Sequence, residues 1–128
     1  VHAHPKLGAS WEGFALEQVV GLFDTRDAYF WASHSGAELD LLVLAHGRRY
    51  GFEFKFTDAP RATRAMHIAR DDLGLAHLWV VYPGGRAYGL GDRLSAAPAA
   101  AIGELVRGLG GAGAGAEAAR VDDRPPSP

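Results

Sequence analysis

The sequence predicts an α/β fold in which a mixed sheet is flanked by helices, and three observations carry that expectation. Tyr50, Phe52, Phe54 and Phe56 alternate strictly with Gly51, Glu53, Lys55 and Thr57, the period of a strand with one apolar face. His77–Tyr82 (HLWVVY) is nearly continuous apolar sequence, as in a strand covered on both faces. Between the two, Pro60 to Asp72 reads as a helix, and a helical crossover permits parallel pairing of the strands it joins.

The remaining elements follow in order. Residues 1–8 read as a lead-in. Ser10 can cap a helix over roughly residues 11–23, with Trp11, Phe14, Ala15 and Leu22 near helical spacing. Tyr29–Ala32 reads as a strand, Ser35-Gly36 as a turn, and Glu38–Ala45 as a second strand. His46-Gly47 resembles a two-residue hairpin turn. Tyr50–Thr57 is the third strand. Pro60 suits the first turn of a helix, and Gly74 its stop. After the His77–Tyr82 strand, Pro83-Gly84-Gly85 forms a turn, and Arg86–Leu90 reads as a short edge strand. Leu94–Leu109 is Ala-rich, with Ile102, Leu105, Val106 and Leu109 at helical spacing. The predicted domain spans residues 1–109. Residues 110–128 are Gly, Ala and Pro-rich and are expected to be a disordered tail.

Bulk properties exclude several functional classes. A chain of 128 residues is one domain by length. Thirteen Lys and Arg against fifteen Asp and Glu give a net charge of −2, so DNA binding would need a local basic patch. Without cysteine there is neither a disulfide nor thiolate-ligated zinc, which fits a reducing cytoplasm. The six histidines lack ligand spacing. No apolar run reaches membrane-spanning length, and no signal peptide is evident. The chain begins at Val1 and its one methionine is Met66, so the expectation is a piece of a longer protein. No phosphate loop, dinucleotide fingerprint or serine nucleophile motif occurs.

The chemistry concentrates in Asp40 and Glu53-Phe54-Lys55. If His46-Gly47 closes a two-residue hairpin, facing residues sum to 93 and Asp40 lies opposite Glu53. Glu53 and Lys55 then share that face. Two carboxylates and an ammonium so placed can hold a divalent cation and polarise a water. The alternative is a cross-strand Asp–Lys salt bridge on a solvated face. Glu12 and Glu17 lie about 140° apart on a helix, so one of them can face the sheet. Arg48 and Arg49 at the hairpin, and Arg61, Arg64 and His67 on the following helix, are candidate phosphate contacts.

Gly8-x-x-x-Glu12, Asp40 and Glu53-x-Lys55, in this element order, resemble the PD-(D/E)XK nuclease superfamily with its restriction-endonuclease-like, three-layer α/β/α fold. A closer resemblance is to the C-terminal domain of unknown function of many prokaryotic AAA+-type ATPases. It rests on His4-Pro5-Lys6-Leu7-Gly8, Trp11-Glu12-x-Phe14, Ser35-Gly36-x-Glu38-Leu39-Asp40 and Gly51-Phe52-Glu53-Phe54-Lys55, and covers about residues 4–90. The resemblance implies that Asp40, Glu53 and the Phe54 carbonyl ligate Mg²⁺ or Mn²⁺. It implies that Lys55 orients the attacking water or stabilises the phosphate, and that Glu12 contacts the metal through water or tunes Lys55. Arg48, Arg61 and Arg64 would contact DNA, and an N-terminal ATPase part of the same polypeptide would be the partner. Leu39-Asp40 stands where the motif has Pro-Asp. The glutamine that some resolvase-like members carry on the second helix is absent. Some superfamily members keep the fold without cleavage, so a non-catalytic nucleic-acid-binding or regulatory domain of the ATPase is the alternative.

Overall fold

A computed structural model describes residues 5–23, 28–32 and 39–110; residues 110–128, read above as a tail, lie almost entirely outside them. The order is α1 (Pro5–Leu22), β1 (Ala28–Ala32), β2 (Leu41–Ala45), β3 (Arg48–Phe54), α2 (Arg64–Asp72), β4 (His77–Tyr82), β5 (Tyr88–Gly91), β6 (Leu94–Pro98) and α3 (Ile102–Gly110). The strands form one six-stranded sheet in the order β1-β2-β3-β4-β6-β5. β3, β4 and β6 are parallel, while the β1–β2, β2–β3 and β5–β6 pairs are antiparallel. The fold is thus mixed α/β, with the expected meander and the expected parallel crossover.

The hairpin has the anticipated register: Leu41 faces Phe52, Val43 faces Tyr50 and Ala45 faces Arg48. His46 and Gly47 both take positive φ, 54° and 75°, the backbone of a type I′ turn. Tyr50, Phe52 and Phe54 point into a core with Ala15, Val19 and Phe23 from the α1 side and Ile102 and Val106 of α3. On the other face α2 supplies Met66, which packs with Leu39, Leu75, Leu78, Val80 and Leu94. Two apolar cores therefore sandwich the sheet, and β4, buried at all six residues, belongs to both, as its sequence anticipated.

Four sequence expectations are corrected. Leu94–Pro98 is a strand, not the start of a helix; five buried residues pair with β4 and β5, and that pairing overrides alanine's helix propensity. α2 begins at Arg64 because the Thr63 hydroxyl accepts a hydrogen bond from the Met66 amide at 3.1 Å, an N-cap; Pro60 and Arg61 precede the helix. α1 begins at Pro5 rather than near residue 11. Its core ridge is Trp11, Ala15 and Val19 at i, i+4 spacing, continued by Phe23, so Phe14 and Leu22 lie outside it and are exposed.

α2 is tied to the β5–β6 turn by buried Arg70. Its guanidinium donates to Asp71 Oδ1 and Oδ2 at 2.9 and 3.2 Å and to the Asp92 carbonyl at 2.6 Å, which holds the Asp71 carboxyl below the usual carboxylate range. Arg93 donates to the Leu75 carbonyl at 2.6 Å.

Gly51 lies where Leu39, Leu75 and Leu78 converge; a Cβ there would stand 2.6–2.8 Å from their methyl carbons. Gly51→Ala should therefore cost about 1–3 kcal/mol of stability through overpacking, read by urea denaturation; an unchanged midpoint would show that the three leucines yield freely. Buried His77 stacks on Trp79 at 4.4 Å and contacts Ser95 Oγ through Nε2 at 3.0 Å. Burial, aided by the charge of Arg93, lowers its pKa from 6.5 to about 3. The unfolded chain takes up this proton near pH 6.5 and the native state does not until about pH 3, so stability is present above that window and is lost as pH falls through it. From pH 7 to 5 the wild type should lose about 2 kcal/mol more than His77→Gln. Parallel losses in the two proteins would rule His77 out as the source.

Candidate functional site

The site is built where β2 parts from β3. Continued past Leu41, the hairpin register would set Leu39 against Phe54. Instead the chain bends at Asp40, and the Phe54 amide donates to Asp40 Oδ2 at 2.9 Å. A side-chain carboxylate thus takes the place of the next backbone acceptor, and Leu39 turns into the core over Gly51. The next amide, that of Lys55, donates to the Val81 carbonyl of β4 at 2.9 Å. The one after it, of Phe56, donates to Glu12 Oε2 of α1 at 3.2 Å. Three successive amides are held by three different elements, so the backbone leaving β3 is fixed on every side.

Trp11 and Phe56 reinforce the α1 contact, with ring centroids 5.8 Å apart. Glu12 is the α1 carboxylate that reaches the sheet, while Glu17 is exposed. The sequence offered both; the decision comes from the helix ridge, which turns residue 12 toward the exit of β3.

Glu53 and Lys55 project on the opposite face from the aromatic stripe, as alternation requires. The Glu53 side chain is 8% exposed and the Lys55 side chain 48%, with Lys55 Nζ 3.7 Å from Glu53 Oε2. The ammonium can therefore reach solvent while the carboxylate stays in the wall. Continuing the β3–β4 register by one residue sets Lys55 beside Tyr82.

The structure thus brings Glu12, Asp40, Glu53 and Lys55 to one end of the sheet. Arg48 does not join them. It is exposed at the start of β3, about 20 Å from the exit at ~3.3 Å per residue. Arg61 and Arg64 are exposed on the segment that leaves the site. Arg64 opens α2, but Arg61 lies outside the helix, so the Arg61–Arg64–His67 helix face expected from the sequence does not form. His67 Nδ1 instead contacts the Arg70 guanidinium at 3.0 Å.

A divalent cation would meet hard oxygen donors here, a chemistry that suits Mg²⁺ with its one or two carboxylates and retained waters. Asp40 has one oxygen held by Phe54 and no partner for the other among the described residues. Also among the described residues, no three His, Cys, Asp or Glu side chains stand close enough to enclose a metal. Any cation here would therefore be held by at most two such side chains among the described residues.

Sequence reasoning missed the cavity of about 960 Å³ beside the site, between the segment after β3 and the β4–β5 connection, lined by Asp58, Arg61, Tyr82, Gly85, Arg86 and Tyr88 among others. Its signal was Tyr82-Pro83-Gly84-Gly85-Arg86, a small-residue turn at the carboxyl end of a parallel strand, where open α/β sheets receive ligands.

Residues 7–102, from α1 to the first residue of α3, match the family described as Domain of unknown function (DUF4143). The chain belongs to this family. The DUF4143 match encloses every residue of the site and the cavity. Two curated relatives, uncharacterized protein Rv2008c of Mycobacterium tuberculosis and uncharacterized protein Mb2031c of Mycobacterium bovis, are each 50% identical over 96 residues, 75% of this chain and 22% of their own. The chain thus spans about a fifth of the length of these relatives. No solved structure matches. No described helix is long and apolar enough to cross a membrane.

Replacing Asp40 tests its hold on the Phe54 amide. Asp40→Ala leaves the buried Phe54 amide without an acceptor and should cost about 1–3 kcal/mol, whereas Asp40→Asn keeps an oxygen there and should cost well under half as much. Equal denaturation midpoints for the two variants would refute the backbone role.

Proposed function

We propose that this domain is a metal-dependent phosphodiesterase of the PD-(D/E)XK kind, with a restriction-endonuclease-like arrangement of its mixed sheet, acting on DNA in the cytoplasm as part of an AAA+-type ATPase. The observation that carries this reading is the convergence of Asp40, Glu53, Lys55 and Glu12 on the exit of β3, with Asp40 and Glu12 hydrogen-bonded to the amides on either side of Lys55. Asp40 and Glu53 would hold Mg²⁺ or Mn²⁺, joined by the Phe54 carbonyl. The bound ion would lower the pKa of a water and offset the charge gathering on the phosphate. Lys55, half-exposed and aimed by its pinned backbone, would donate to a non-bridging phosphate oxygen or orient the water. Glu12 acts on Lys55 through the Phe56 amide, which makes it a positioning residue. Arg61 and Arg64 would meet the phosphates of the strand.

A second reading is supported by the absence, among the described residues, of three metal-ligating side chains within reach of one another. On that reading the domain senses nucleic acid or regulates the ATPase part without cleaving. Mg²⁺ and Mn²⁺ titration by calorimetry, paired with nicking of supercoiled DNA, separates the two. The nuclease reading expects metal binding and nicking in the wild type. It expects both to be lost in Asp40→Asn, and nicking alone to be lost, by about a hundredfold or more, in Lys55→Ala. Nicking that survives both substitutions would sink the assignment, and an absence of both metal binding and nicking in the wild type favours the regulatory reading.

A further inference from the structure

We propose that the cavity beside Lys55 binds an unpaired nucleotide, so that the strand presented to the site is single-stranded. The proposal deepens the nuclease reading and rests on it for the strand's purpose, but its geometry is independent of metal and cleavage.

The cavity adjoins the site through Tyr82. Tyr82 is the residue of β4 next to Lys55 on the same face, and it forms part of the cavity wall. Asp58 and Arg61, on the chain leaving Lys55, form the facing wall. A strand with a phosphate at Lys55 therefore has its adjoining nucleotide at the cavity mouth. At about 960 Å³ the volume lies at the upper end of small-ligand sites, which run from roughly 300 to 1,000 Å³.

The lining suits a base that carries phosphate. The Tyr82 and Tyr88 rings meet edge to face, with centroids 6.1 Å apart, and the Arg86 guanidinium lies 5.6 Å from the Tyr88 centroid. Both phenols are committed to backbone: Tyr82 donates to the Arg86 carbonyl at 2.6 Å and Tyr88 to the Pro60 carbonyl at 2.7 Å. The second bond ties the two walls together. With its hydroxyl engaged, the half-buried Tyr88 ring offers stacking surface rather than base-specific hydrogen bonds, backed by the buried Tyr82 ring, and a guanidinium plane extends that surface. A Cβ at Gly84 would collide with the Tyr82 ring, so the turn can close over that ring only with glycine there. Arg61 and Arg86, both exposed, put two cations at the rim against the single carboxylate of Asp58, an arrangement for phosphate. A paired base in a duplex presents only its edge to a groove, whereas an unpaired base can enter and stack.

The test is fluorescence anisotropy of the whole chain in EDTA, with a fluorescein-labelled oligothymidylate of about twelve nucleotides, at fixed low salt. Competitors are a duplex of the same length and thymidine monophosphate. The single strand should bind at least tenfold tighter than either. Arg61→Ala with Arg86→Ala should weaken it about tenfold, as should Tyr88→Leu, while Tyr88→Phe keeps the ring and most of the affinity. The two arginines are exposed, so the double variant carries the test even if Tyr88→Leu does not fold. Equal affinity for duplex, a preference for the free mononucleotide, or binding that survives the arginine pair overturns the proposal. Because no metal is present, a domain that never cleaves still tests the cavity, and a nuclease indifferent to these residues refutes the cavity alone.

Discussion

The structure turns on how three consecutive amides are satisfied. Phe54, Lys55 and Phe56 leave the sheet at its centre, where an unpaired N–H would cost about as much as a lost hydrogen bond. Each amide takes an acceptor from a different direction: the Asp40 carboxylate before β2, the Val81 carbonyl of β4 and the Glu12 carboxylate of α1. Two of these acceptors are side-chain carboxylates, at 2.9 and 3.2 Å. Because a carboxylate caps the ladder, β2 can part from β3 at Asp40 without abandoning a buried donor. The same bonds that finish the fold locally therefore place Asp40 and Glu12 on either side of Lys55 along the chain. They also fix the direction of Lys55 by fixing its backbone.

Much of this was legible in the sequence, for identifiable reasons. The hairpin register followed from His46-Gly47 and from alternation, since a one-residue slip would have put Tyr50, Phe52 and Phe54 on the wrong face. The crossover followed from the apolar run at His77–Tyr82. Asp40 was recognised as chemically important, but its geometry was read one step too simply. Strand extrapolation set it opposite Glu53, whereas its side chain turns to the Phe54 amide. Hydrogen bonds from side chain to backbone at a strand end leave no periodic trace. β6 was missed because Ala96 and Ala97 carry no strand signal of their own; they are strand because Val80 and Val81 of β4 offer a paired edge beside them. The start of α2 was missed because Pro60 looked like a first-turn proline, while Thr63 supplied the actual cap.

Net charge alone says less than where the charges stand. An excess of two acidic residues argues against nucleic-acid binding only if every charge faces solvent alike. Arg70 is buried and spends its guanidinium on Asp71 and the Asp92 carbonyl, and Arg93 spends its own on Asp92 and the Leu75 carbonyl. Arg70 holds α2 to the β5–β6 turn, and each of the two guanidiniums is paired with a neighbouring carboxylate. Among the described residues, exposed Arg61 and Arg86 line the cavity with the one carboxylate of Asp58. An acidic total therefore does not fix the charge at the cavity rim, because structural arginines are paired with aspartates elsewhere.

The sparse ligand set acquires a meaning under the nuclease reading. Mg²⁺ keeps near-octahedral coordination and is commonly held by one or two carboxylates together with substrate phosphate. A site that supplied a full cage would hold the ion tightly without substrate and leave no position for the scissile phosphate. Asp40, already bound through one oxygen to Phe54, can turn only its other oxygen to a cation, and Glu53 is constrained by its burial in the β3 wall. Such a pair would bind metal weakly until a strand brought its own oxygens. The neighbouring cavity then bears on catalysis as well as on preference: a nucleotide seated against Tyr88 and the two rim arginines would deliver the adjoining phosphate to Lys55, and with it the missing ligands. On this view, metal affinity and strand binding are two expressions of one coupled equilibrium, and each should strengthen the other by the same factor.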